Sequence, residues 1–262
     1  MHQGLGAIVV AAILFTACGT TPQTERQRLK ELNQEISLGR GIAASLLGKF
    51  KLDAAQPAQT QYIATVGTYL SQQFGRPELE YKFAIVKEGP VNAYACPGGF
   101  IFLSRSLVDK LRSEDELITV LGHEIAHINF NHVYQKIKKP KDVSFGATLS
   151  RMMSQGGGDL SFALGEAVKA GMKLLTEEGL GTAFENEADE AALTYAQSIG
   201  VDGGALYRFL ARTADSQAGL PKSHPPLQAR LALLQTWLMT NTGTAPAVSK
   251  EPKARQERFK KR

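Results

Sequence analysis

Apolar positions recur at helical spacing along most of this chain. Leu117, Val120, Leu121, Ile125 and Ile128 cover much of the circumference of one helix, expected over Glu114–Asn131, and so predict that it is buried. Ser113-Glu114-Asp115-Glu116 opens it as a capping box, with serine at the N-cap and glutamate three residues on. Further helices are expected near Glu25–Phe50, Ala58–Phe74, Leu160–Thr176, Ala183–Ile199, Gly203–Ser216 and Pro226–Thr240. Alternation in Tyr81-Lys82-Phe83-Ala84-Ile85-Val86 predicts a half-buried strand over Tyr81–Lys87. Val91–Ala95 and Phe100–Ser104 predict two more strands, joined by a Pro97-Gly98-Gly99 turn. The expected class is α+β, predominantly helical, with one small β-sheet and no internal repeat.

Composition fits one body: 262 residues with 43% hydrophobic content can bury a substantial single core. The net charge of +5 is local, because residues 250–262 carry seven basic and two acidic side chains. The remainder is balanced, which argues against nucleic acid as a partner. Residues 241–262 are rich in Thr, Pro, Ala and charge, and are expected to form a disordered basic tail. Such a tail is either simply solvated or in contact with anionic lipid headgroups.

At the other end, Leu5 to Ala17 is an apolar run of signal-peptide length, too short to span a bilayer. Leu14-Phe15-Thr16-Ala17-Cys18 resembles a bacterial lipobox, which makes residues 1–17 a lipoprotein-type signal peptide and Cys18 the lipidated residue. Met1-His2-Gln3 lacks the usual basic residue and Phe15 stands where leucine is commoner, so a plain secretory signal or an uncleaved anchor are the alternatives. Gly19 in place of an aspartate favours the outer membrane. Cys96 then has no partner within the chain and is expected to be a buried thiol, unless an unlipidated Cys18 pairs with it.

The chemistry lies in His123-Glu124-Ile125-Ala126-His127. Histidines four apart on a helix share a face, so both imidazoles can reach one metal ion, and Glu124 can point at the metal's open position. Two solvated histidines are the alternative. Burial opposes it, since unpaired polar groups inside a protein are costly and a metal satisfies all three.

A third ligand is needed. The metzincin pattern fails, because Phe130 and Val133 stand where glycine and histidine are required. A thermolysin-like glutamate about twenty residues on is also missing; the carboxylates nearby are Asp142 and Asp159, in loop-like surroundings. Extrapolating the helix turns His132 away from the metal face, so it is expected to be a helix-end histidine favoured by the C-terminal dipole. The better source is Phe184-Glu185-Asn186-Glu187-Ala188-Asp189-Glu190. Glu185 and Asp189 share a helix face, so one can bind the metal while the other holds a histidine's free N–H. Glu187 and Glu190 point elsewhere and are expected to be solvated. An acidic surface helix without a site is the competing reading.

Together these segments resemble the HtpX and CAAX-prenyl-protease type of zinc metallopeptidase, a gluzincin family marked by HExxH and ExxxD. Leu38-Gly39-Arg40, the stretch Val91-Asn92-Ala93-Tyr94-Ala95-Cys96-Pro97-Gly98-Gly99-Phe100-Ile101-Phe102, and Ser223-His224-Pro225-Pro226 followed by Arg230 are similar to further family segments, in family order. The resemblance implies a zincin-like domain over residues 24–240, with the sheet beside the active-site helix. It implies one Zn2+ per chain held by His123, His127 and Glu185, Glu124 as general base, and Asp189 behind a ligand histidine. It also implies that His224 lies near the site, either stabilising the oxyanion or, in a latched state, occupying the fourth zinc position.

The segment from Asp142 to Leu175 is broken by Gly156-Gly157-Gly158 and by charges, so no membrane span separates the two site helices. The expectation is therefore the soluble lipoprotein branch of the family, an outer-membrane protein facing the periplasm. An extended substrate is expected to add as a strand beside Asn92, Ala93, Tyr94 and Ala95, held by backbone hydrogen bonds.

The expected function is a zinc endopeptidase acting on unfolded or misassembled envelope proteins, with envelope assembly machinery among its candidate partners. Two other classes compete: a chaperone or assembly factor that binds clients and rarely cuts them, and a lipid-surface adaptor acting through the basic tail.

Overall fold

The computed structural model describes residues 22–138, 160–214, 226–243, 245 and 253–261. Cys18, Asp142, Asp159 and His224 lie outside the described residues.

Two long helices, α1 (Pro22–Phe50) and α2 (Pro57–Phe74), lead into strands β1 (Lys82–Val86), β2 (Ala93–Cys96) and β3 (Phe100–Ser104). A short α3 (Arg105–Val108) then precedes α4 (Glu114–Asn129) and α5 (His132–Lys138). Next come α6 (Leu160–Lys173), a π-helical turn at Leu174–Glu178, α7 (Thr182–Ser198), α8 (Gly204–Ala214), α9 (Leu227–Thr242) and α10 (Lys253–Lys260). Among the described residues no helix is long and apolar enough to cross a membrane.

The sheet order is β1-β3-β2, with β1 parallel and β2 antiparallel to β3. The expected hairpin therefore forms, but Phe100–Ser104 is the central strand and β2 alone is the edge near the site. The Pro97-Gly98-Gly99 turn works because Gly98 and Gly99 adopt φ of 75° and 99°, which side chains oppose.

Strand alternation divides the interior in two. Ile85, Ala95, Ile101 and Leu103 join one apolar cluster with residues of α2, α4, α7, α8 and α9. Val86, Tyr94, Cys96 and Phe102 join another with α1, α5 and α6. Both faces are covered, which is why all four β2 residues are buried and why the end of β1, expected half-buried, has Ile85 and Val86 both buried.

The Leu38-Gly39-Arg40 stretch now has a physical reason. A Cβ on Gly39 would lie 1.6 Å from the Pro97 carbonyl oxygen, so α1 rests directly on the β2–β3 turn. One turn earlier on α1, the buried Glu35 accepts from the Gly98 N–H at 3.1 Å and from Arg76 at 2.8 Å.

Helix α4 is buried along nearly its whole length, and Ser113 Oγ caps it by accepting from the Glu116 N–H at 3.1 Å. Glu116 reaches back to the Arg112 N–H rather than to that of Ser113. Its three acidic first-turn residues are each met by an arginine from far along the chain: Glu114 by Arg258 (2.5 Å), Asp115 by Arg255 (2.9 Å) and Glu116 by Arg212 (2.8 Å). Two of those arginines belong to α10, whose Phe259 is 4% exposed and packs in the first cluster. Within the tail expected to be disordered, Lys253–Lys260 is thus a docked helix. Its two arginines answer buried carboxylates of α4, a cause that its composition conceals.

Candidate metal centre

Helix α4 presents His123, Glu124 and His127, and α7 presents Glu185 and Asp189. Small residues let the two helices meet. A Cβ on Gly122 would sit 3.6 Å from Ala192 Cα, and Ala188, Ala192 and Ala196 form the buried stripe of α7 beside the two carboxylates.

His123 Nε2 and His127 Nε2 stand 2.9 Å apart. The Glu185 carboxylate approaches them at 3.7 and 3.6 Å respectively, and one ligand atom from each residue falls within 4.8 Å of the others. Each imidazole is gripped by its opposite nitrogen. Asp189 Oδ1 lies 2.9 Å from His123 Nδ1, and His132 Nδ1 lies 2.7 Å from His127 Nδ1. With both Nδ1 atoms engaged, both Nε2 atoms and a buried carboxylate converge on one point. This donor set fits a divalent metal ion of the zinc type.

Arg230 on α9 donates to Asp189 through Nε at 2.8 Å and Nη2 at 2.6 Å, and its Nη1 is 3.5 Å from Glu185. Burial raises the pKa of Asp189, but the Arg230 charge and hydrogen bonds outweigh it and hold the carboxyl at about 2. Burial likewise lowers the pKa of His123, and the Asp189 contact reverses this into a net rise. The Arg230 guanidinium, which burial would weaken, is instead held in its charged form by Asp189.

Glu124 stands between the histidines and the edge strand, lining clefts on either side together with Asn92 and Ala93. One cleft continues along Leu107, Leu206 and Phe209, the other along Leu174, Leu175 and Leu180 of the π-helical turn and its exit. Tyr94 and Cys96 face the opposite apolar cluster. Burial pushes the Tyr94 hydroxyl up to about 12 and raises the Cys96 thiol as well, so Cys96 is a buried, unreactive free thiol.

Two expectations need correction. His132 is fully buried against His127, not turned away as a helix-end group. Helix α4 stops at Asn129, Asn131 takes the left-handed φ of 55°, and His132 restarts the chain as the first residue of α5. Asparagine just past a helix end is the sequence signal that helical extrapolation overran. Glu187, expected to be solvated, is half-exposed and places Oε2 3.2 Å from His132 Nε2. Glu190 is exposed as expected.

Arg230, noted only as following the His-Pro stretch, holds the carboxylate behind His123. Its signal was an arginine on the stripe Leu227, Leu231, Leu234 and Leu238 of an otherwise apolar face.

Comparison with known proteins gives the family. The model described as Peptidase family M48 matches residues 57–238. The chain belongs to peptidase family M48. Similar proteins include the "Beta-barrel assembly-enhancing protease" of Escherichia coli (strain K12), 28% identical over 216 residues that cover 77% of this chain and 43% of that protein. The "Mitochondrial metalloendopeptidase OMA1" of Schizosaccharomyces pombe is 26% identical over 235 residues, covering 86% of this chain and 67% of that protein. The "Metalloprotease LoiP" of Escherichia coli (strain K12) is 25% identical over 172 residues, covering 64% of this chain and 65% of that protein. The chain spans less than half the length of the first of these relatives.

Proposed function

We propose that this member of peptidase family M48 is a zinc endopeptidase that hydrolyses unfolded or misassembled proteins of the bacterial envelope. The observation that carries this reading is the convergence of His123, His127 and Glu185 beside a buried Glu124, next to β2, an outer strand of the sheet among the described residues.

Bound there, zinc supplies a Lewis acid that polarises a scissile carbonyl and acidifies a water. Glu124 takes the proton of that water and delivers it to the departing amine nitrogen. Asp189, held by Arg230, keeps the proton of His123 on Nδ1 and leaves Nε2 free for metal. The edge of β2, from Asn92 through Ala95, aligns an extended peptide by backbone hydrogen bonds, a mode that tolerates many sequences and selects chains that are not folded. His224 belongs to the same reading, as an oxyanion-stabilising group or as a latch on the metal.

The envelope assignment rests on the lipobox-like Leu14–Cys18 stretch and on a relative named for enhancing β-barrel assembly. In this reading Cys18 carries the lipid and the protein faces the periplasm from the outer membrane.

The test is zinc content of the protein lacking the segment up to Cys18, beside its Glu185→Ala variant. About one zinc per chain, lost or weakened in the variant, is the expected result. No zinc in either after metal supplementation would leave a client-binding chaperone as the better reading.

A further inference from the structure

The two candidate metal-binding histidines are supported differently. His123 leans on a carboxylate that is itself buried and clamped by arginine. His127 leans on another imidazole, that of His132, which in turn reaches Glu187. We infer that His132 and Glu187 are positioning residues for His127, forming a histidine–carboxylate arm that fixes its tautomer and ring plane for the metal. This rests on the proposal that His123, His127 and Glu185 hold zinc.

The proton bookkeeping runs in one direction. For His127 to offer Nε2 to a metal, its proton must sit on Nδ1. That N–H then donates to His132 Nδ1, 2.7 Å away, which accepts only if the His132 proton sits on Nε2. The His132 Nε2–H points at Glu187 Oε2 at 3.2 Å, and the carboxylate accepts it. Every nitrogen and the terminal oxygen has one role, and the arm ends on a charge that favours this arrangement.

The surroundings hold the relay in place. The His132 ring is fully buried and stacks on Phe184 with centroids 4.3 Å apart and planes 19° from parallel. Phe184 immediately precedes Glu185, so the ring that fixes His132 is a neighbour of the carboxylate that completes the donor set. The left-handed Asn131 makes the geometry attainable, since a continuing helix would carry residue 132 around the axis away from residue 127.

Packing alone is the competing role for His132, and two substitutions separate it from positioning. His132→Phe keeps a ring to stack on Phe184 and removes the acceptor. His132→Asn keeps an acceptor near the position of Nδ1 and gives up the ring.

The measurement is the zinc dissociation constant by chelator competition on the full folded chain, with the visible spectrum of the Co2+-loaded protein as a report on ligand geometry. Thermal unfolding of the metal-free forms checks that each variant folds. Positioning predicts a loss of about 10- to 100-fold in zinc affinity for His132→Phe with an altered cobalt spectrum, and a loss of less than about tenfold for His132→Asn. Glu187→Ala is expected to weaken zinc in the same direction and by less, because its half-exposed carboxylate is partly screened by water.

Wild-type affinity in His132→Phe, or equal losses in His132→Phe and His132→Asn, would overturn the inference. Unchanged affinity in Glu187→Ala would remove Glu187 from it. A wild-type protein that takes up no zinc fails at the earlier step and brings down the metal reading itself.

Discussion

Arg230 grips Asp189 with one edge of its guanidinium, Nε and Nη2 donating at 2.8 and 2.6 Å, and both side chains are buried. Neither is among the converging donor atoms, yet together they orient His123. Arg230→Met would leave the Asp189 carboxylate buried without its cation. The expected cost is about 3–5 kcal/mol of folding stability, read from urea unfolding, together with weaker zinc binding. A variant as stable as the parent would mean that Asp189 finds another partner.

The same pair sets an acid limit. Asp189 titrates near 2 in the folded protein, below its ordinary 3.8. A depressed carboxyl contributes stability fully above the unfolded value and loses it as pH falls through the folded one. The contribution is about 2 kcal/mol, and it should disappear between roughly pH 4 and 2. Unfolding free energies compared for wild type and Asp189→Asn should differ at pH 5 and converge towards pH 2.

Glu124→Gln should retain zinc and lose cleavage of an unfolded protein substrate by about 10²- to 10⁴-fold, because the amide cannot accept the proton of water. Undiminished turnover in a preparation free of other proteases would remove Glu124 from the role of base.

Deleting residues 253–262 should destabilise the protein even in lipid-free buffer. It strips Arg255 from the fully buried Asp115 and takes Phe259 out of the core. The expected loss is about 3 kcal/mol or more, seen as a lower melting temperature. A tail that served only to touch lipid headgroups would leave the melting temperature unchanged.

Gly39→Ala and Gly48→Ala form a contrasting pair on α1. A Cβ at Gly39 collides with the Pro97 carbonyl, whereas one at Gly48 meets nothing within 4 Å. The first should cost about 1–3 kcal/mol by forcing α1 away from the turn. The second should add about 0.4–1 kcal/mol by restricting the unfolded chain. Thermal unfolding of both variants checks the pair.

Helical periodicity carried most of the architecture, because i and i+4 positions on α4 and α7 are enough to bring His123, His127 and Glu185 towards one point and to set Asp189 one turn from Glu185, behind His123. What escaped it was set by events between elements. His132 lies past a backbone reversal at Asn131, where extrapolated spacing no longer holds. The central place of β3 comes from a parallel pairing with β1 that the local hairpin signal does not encode. Residues 253–260 look solvated by composition, and the buried Glu114 and Asp115, much earlier in the chain, together with the core seat of Phe259, explain why they dock. Those acids had an adequate local reading as first-turn residues of a helix, which hid their long-range role.

The contact of Gly39 with Pro97 also fixes a distance. Helix α1 begins four residues after Cys18 and meets the β2–β3 turn at Gly39, about 26 Å further along its axis at 1.5 Å per residue. Were Cys18 to carry a lipid, the stretch of the tether from Pro22 to the turn would be a helical rod rather than a slack cord. Whatever direction that rod takes, it would add at most about 26 Å between Pro22 and the turn beside the cleft.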